Sequence, residues 1–139
     1  MVRLLRLVYG LVLAAILFTP FGVYHSLSEP YITGYLWGYN LPIGYVGLGS
    51  GLLAISYKKI DSLNKVDLGS IIIVIGVFLI LTFLLEPKDF FINLLHGTSF
   101  GAGQIDIDYQ VGNSAVLGLS LFSIITGLLL RTKQFHSKI

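Results

Sequence analysis

The chain has 139 residues, of which 55% are hydrophobic and only 12% charged, with a net charge of +2 and a mean hydropathy of +0.84. Soluble domains carry about 25% charged residues, so the composition argues against an ordinary water-soluble fold and leaves no stretch for a separate soluble domain. The lack of cysteine excludes thiol redox chemistry, disulfides, iron–sulfur ligation and zinc–thiolate sites.

Four apolar spans can be drawn, at residues 4–24, 41–57, 68–85 and 111–130. A helix needs about 20 residues to cross ~30 Å of hydrocarbon, and the second and third spans are on the short side. Eight of the nine Lys and Arg residues fall on one side of this map: Arg3 and Arg6, then Lys58, Lys59 and Lys65, then Arg131, Lys133 and Lys138. Short loops rich in Lys and Arg remain in the cytoplasm. Both termini and the 58–67 loop are therefore expected inside, in the cytoplasmic membrane. Lys88 is the exception. The expected outer side holds Glu29, Glu86, Asp89, Asp106 and Asp108.

Span one ends near Thr19-Pro20-Phe21-Gly22, where proline predicts a kink or the outer end of a helix. Arg3 and Arg6, the apolar run after them, and Ser26-Leu27-Ser28 resemble a signal peptide with its cleavage site. The apolar stretch is long for that, and an uncleaved signal-anchor helix is the favoured expectation. The segment between Glu29 and Leu41 places Tyr31, Tyr35, Trp37 and Tyr39 at odd positions. Aromatics with polar tips collect at headgroup level, so an interfacial belt is expected there, with the mouth of a lipid or quinone pocket as the sharper alternative.

Span two is rich in glycine, and Gly47 and Gly51 form a small-xxx-small pair that admits another backbone. In span four, Gly112, Ser120, Ser123 and Gly127 share one helical face. These residues are the expected packing or interface positions. Span three is β-branched and nearly featureless, and is expected to meet mainly lipid.

Residues 86–110 form the longest connection. Its first part predicts a short helix, with Pro87 in the first turn, Asp89 near the N-terminus and Gly97 just past the end. Phe90, Phe91, Leu94 and Leu95 would form its apolar docking face. The alternation of Ile105, Ile107 and Tyr109 with Asp106 and Asp108 predicts an extended segment.

Chemistry is thinly represented. The span interiors hold no Asp, Glu, Lys, Arg or His, and such groups mark proton and ion pathways. Asn113 is the strongest polar group there and is expected to make an interhelical hydrogen bond. His25, His96, Asp106 and Asp108 are the candidate metal ligands, since imidazole and carboxylate suit zinc, copper or iron, but they are dispersed. His136 is expected in solvent. No nucleophile–base pair is visible, and residues 101–103 are too generic for a phosphate cradle.

The fold expected from sequence is thus an all-α, integral-membrane four-helix bundle, a single domain over residues 1–139, with a structured outer loop. The expected role is a non-catalytic accessory subunit of a larger membrane complex, of the oxidase or membrane-monooxygenase kind. Its expected partners are membrane lipids and other membrane subunits, with no nucleic acid and no cofactor. The rivals are a lipid- or quinone-binding protein, a metal-dependent membrane enzyme using the outer His/Asp groups, and a small homo-oligomeric channel.

Overall fold

The computed structural model describes residues 2–61, 65–97, 99, 100 and 104–138, with side chains from Arg3 to Thr132 apart from Asp89. The side chain of His136 and residues 101–103 lie outside the described residues. The chain is mostly helical. It runs α1 (Val2–Ala15), β1 (Pro20–Ser26), β2 (Thr33–Trp37), α2 (Pro42–Ser56), α3 (Leu68–Leu85), α4 (Lys88–His96), β3 (Ile105–Tyr109) and α5 (Val111–Lys138).

The all-α expectation is corrected by a three-stranded antiparallel sheet in the order β2-β1-β3. The predicted first span continued to residue 24, but α1 gives way to a single 3-10 turn, Ile16–Phe18, and then to strand. Proline is the reason. The residue before it is pushed out of the α region, and Thr19 is extended at φ −94°, ψ 138°. β1 is the central strand and includes Ser26. Cleavage at the signal-peptide-like site would therefore remove the middle of the sheet.

The aromatic segment expected as an interfacial belt contains β2. Its residues alternate between the two faces of the sheet. Leu36 is fully buried while Tyr35 and Thr33 are exposed. The β1–β2 connection is fastened by Ser26, whose Oγ accepts from the Ile32 N–H and donates to the Pro30 carbonyl, both at 2.8 Å. β3 occupies the segment where acidic and apolar residues alternate.

Two helices, Leu68–Leu85 and Val111–Thr132, are long and apolar enough to cross a membrane. α1 and α2 have 14 and 15 residues, below the usual length; for α1 the reason is that β1 takes up residues that the four-span map gave to span one. α3 starts where the Asp67 side chain accepts from the Ser70 N–H at 3.0 Å and the Ser70 hydroxyl at 2.9 Å. This is an N-cap that satisfies an orphan donor. Burial pushes the Asp67 carboxyl up, but these bonds and the Arg131 charge outweigh it and hold the carboxyl below its ordinary range.

The helices pack as two pairs, α1 with α2 and α3 with α5, and α2 also touches α3. The first pair closes through glycine. A Cβ on Gly51 would strike the Gly10 carbonyl, and one on Gly47 would lie 2.7 Å from the Leu13 oxygen. The second pair closes in the same way, with Gly69 against Gly127 and Gly76 against Ser120 and Ser123. α3 is therefore not featureless, because Gly69 and Gly76 form its seam. The core gathers Leu13, Ile16, Phe21, Leu36, Ile43, Leu79 and Ile92, all within 2% of full burial.

Candidate functional site

The sheet, α4 and the adjoining helix ends form a cap at one end of the bundle. Residues directly opposite in an antiparallel pair point to the same face, and neighbours along a strand to opposite faces. His25 faces Asp106 and Val23 faces Asp108 in the β1–β3 register. His25, Asp106 and Asp108 therefore share the face turned away from the core. His25 Nε2 lies 3.3 Å from Asp106, with both side chains about half exposed. Tyr24 is on the opposite, buried face and meets His96, with its hydroxyl 2.5 Å from Nε2. Burial raises the Tyr24 phenol.

The candidate metal ligands are thus split by the sheet. His25, Asp106 and Asp108 lie on one face and His96 on the other. Among the described residues no group of three or more His, Asp and Glu converges as a metal site would require.

α4 sits on the cap through a different set of contacts. Ile92 is fully buried and Phe91 packs partly against the core. Phe90, Leu94 and Leu95 are 56%, 67% and 47% exposed. Gly97 ends the helix in the left-handed region at φ 62°, a conformation glycine adopts at little cost. Asn93 then exchanges hydrogen bonds with the Phe100 backbone, accepting at 3.2 Å and donating at 3.4 Å. Ile92, which carries the attachment, was not among the expected face residues. The i, i+1 pairing of Phe91 with Ile92 disguised the buried stripe.

The predicted interface residues lie within the chain. Gly47 and Gly51 meet α1, and Gly127, Ser120 and Ser123 meet α3. Ser120 donates to the Val116 carbonyl, and Ser123 pairs with the Tyr9 hydroxyl. Gly112 lies against Pro20 and the Phe21 ring. Asn113 binds the Phe21 carbonyl at 2.5 Å and the Gln110 carbonyl at 3.1 Å through Nδ2, fastening the start of α5 to β1.

Lys88, the exception in the charge map, has a structural explanation. Its Nζ lies 3.4 Å from Glu86 Oε1, and the two side chains are 11% and 1% exposed. Glu86 Oε2 accepts from the Ile43 N–H at 3.3 Å, placing a carboxylate at the N-terminus of α2, where the helix dipole favours it. Lys88 also lies 4.6 Å from the Phe83 ring centre, a cation–π distance. Burial raises the Glu86 carboxyl, with Lys88 and the Ile43 N–H opposing the shift. The pair borders a cavity of about 550 Å³ between α3, β3 and α5. Asn113 also lines it, and its Oδ1 is buried with no partner among the described residues.

The arrangement offers one buried ion pair, one exposed His–Asp contact and an exposed apolar helix face. The Tyr24 hydroxyl on His96 Nε2 adds a hydroxyl–imidazole contact on the core side of the sheet. Comparison with known proteins gives no match: no family model, no curated protein and no solved structure is similar to this chain.

Proposed function

We propose that the chain is a four-span membrane protein with both termini cytoplasmic, serving as a non-catalytic subunit of a larger membrane complex and docking through its cap. Large apolar side chains stand exposed along three helices, including Leu4, Leu11, Phe78, Leu84, Phe122 and Leu129. The two longest apolar windows are only 33% and 28% buried within the chain, whereas the core helix of a soluble protein is mostly covered. A surface of this kind is an aggregation liability in water and is ordinary in lipid. With their 3-10 extensions, α1 and α2 reach from Val2 to Phe18 and from Pro42 to Lys59, at the low end of the ~17–25 residues that span a bilayer.

The observation that carries the docking role is the exposed row Phe90, Leu94 and Leu95 on a helix already anchored by Ile92. The small-residue stripes are spent on packing within the chain, and this face is an exposed apolar surface on the cap. Mild-detergent extraction followed by native mass spectrometry tests the proposal. The native chain should co-migrate stoichiometrically with a larger assembly, and Leu94→Asp should leave it inserted but released. Migration as a single chain overturns the subunit reading, and self-association alone promotes the channel.

A further inference from the structure

At the end of the bundle opposite the sheet, cations from two separate elements converge. Arg3 and Arg6 come from α1, and Lys58 and Lys59 from the 3-10 turn that follows α2. Together with Leu7 and Ile55 they line a cavity of about 440 Å³, and no acidic side chain borders it among the described residues. The positive-inside rule accounts for the sign of these charges. It does not account for their meeting around one space, because like charges brought together repel.

Arg6 carries the argument further. Its guanidinium lies 5.4 Å from the Tyr57 ring centre, and Lys58 Nζ 5.3 Å from the same ring. Arg6 Nε and Nη1 are buried without a hydrogen-bond partner among the described residues. A buried donor left unmade is costly, the more so on a charged group. Guanidinium forks match phosphate oxygens. Arg6 also borders a second cavity, an almost wholly apolar crevice of about 240 Å³ between α1, α3 and α5, lined by Leu5, Ile72, Phe122 and Leu130 among others. One residue thus joins a basic chamber to an apolar slot open along the helices.

Resting on the membrane reading above, we infer that this end binds an anionic phospholipid, its phosphate among Arg3, Arg6, Lys58 and Lys59 and one acyl chain in the crevice beside Leu5. Free phosphate shares the headgroup chemistry but makes no use of the crevice.

The test is native mass spectrometry of the full purified chain in detergent, with equimolar dioleoylphosphatidylglycerol and dioleoylphosphatidylcholine added. The native chain should retain the glycerol lipid preferentially. Arg3→Gln/Lys58→Gln/Lys59→Gln, all at exposed positions, should lose roughly fivefold of that preference per cation removed, and Lys65→Gln, outside the cavity, should keep it. Leu5→Trp, at a position 62% exposed, should fill the crevice and weaken lipid retention without altering the fold. Equal retention of the two lipids, or a preference that survives the triple variant, overturns the inference. So does displacement of the lipid by millimolar inorganic phosphate with no effect of Leu5→Trp. Alkaline carbonate extraction of cell membranes separates this failure from the other: release into the supernatant sinks the membrane reading, whereas a chain that stays in the pellet but does not discriminate sinks only the lipid site.

Discussion

The two ends of the bundle are built on opposite principles. At the cap, strand pairing, the Ser26 stitch and the Glu86–Lys88 pair tie segments together within the chain, and Glu86 Oε1 and Asn113 Oδ1, buried without a hydrogen bond among the described residues, border one cavity. At the other end Arg3, Arg6, Lys58 and Lys59 surround an open cavity, and Gly10 against Gly51 holds the neighbouring helices together. The cap is therefore expected to be the rigid end. The basic end gathers like charges around one space.

The sharpest way to break this contrast is to split the ion pair. Removing one member of a buried pair leaves an uncompensated charge, whereas replacing both is often nearly neutral. Lys88→Met should destabilise the chain by about 3 kcal/mol, and Glu86→Gln/Lys88→Met by much less, as read from unfolding in mixed micelles. Equal losses would mean that the pair does not act as a unit.

Opening the other end should cost somewhat less. Gly51→Leu places a side chain against the Gly10 backbone, and overpacking of this kind costs about 1–3 kcal/mol. Amide exchange should accelerate in α1 and α2 near the basic end while the β1–β3 amides keep their protection. Val77→Leu is the suitable control, since Val77 is 39% exposed.

Acidity supplies a third test. The Glu86 carboxyl is raised in the folded state by burial, so the folded chain binds this proton more tightly than the unfolded one. Its contribution to stability is present below the ordinary carboxylate range and falls as pH rises through the raised value. The cap should therefore loosen as pH rises above the ordinary carboxylate range, and Glu86→Gln/Lys88→Met should flatten that slope. A slope unchanged in the double variant assigns the effect to another group.

The smallest effect is expected at the basic end. Lys59→Gln, at an exposed residue, should shift stability by less than about 0.5 kcal/mol. A large loss there would show that the cations brace the fold and are not held for a ligand.

Much of the cap was legible locally. Gly97 after an apolar helix and the Ile/Asp alternation from Ile105 to Tyr109 each mark an element whose chemistry lies within a few residues. β1 was not legible, because Pro20-Phe21-Gly22-Val23-Tyr24 continues the hydrophobicity of α1 and its second pairing partner is about eighty residues away. The odd-numbered aromatics before Asn40 do carry a period of two. Tyrosine and tryptophan serve an interfacial belt and a strand equally well, so their identity does not separate the two. The ion pair was signalled only by Lys88 standing on the wrong side of the charge map. Gly69 and Gly76, seven residues apart, carried the α3 seam in a span whose β-branched bulk drew attention away from them.

The central position of β1 has a consequence for synthesis. One edge of β1 is closed by β2 within a few residues, but the other waits for Ile105–Tyr109. At ~5–20 residues per second, the ribosome leaves that edge open for roughly 4–16 s. An open strand edge invites pairing with foreign chains. The strand that closes the sheet emerges just ahead of the last helix, so a chain truncated before residue 105 would be left with an adhesive edge exposed to its surroundings.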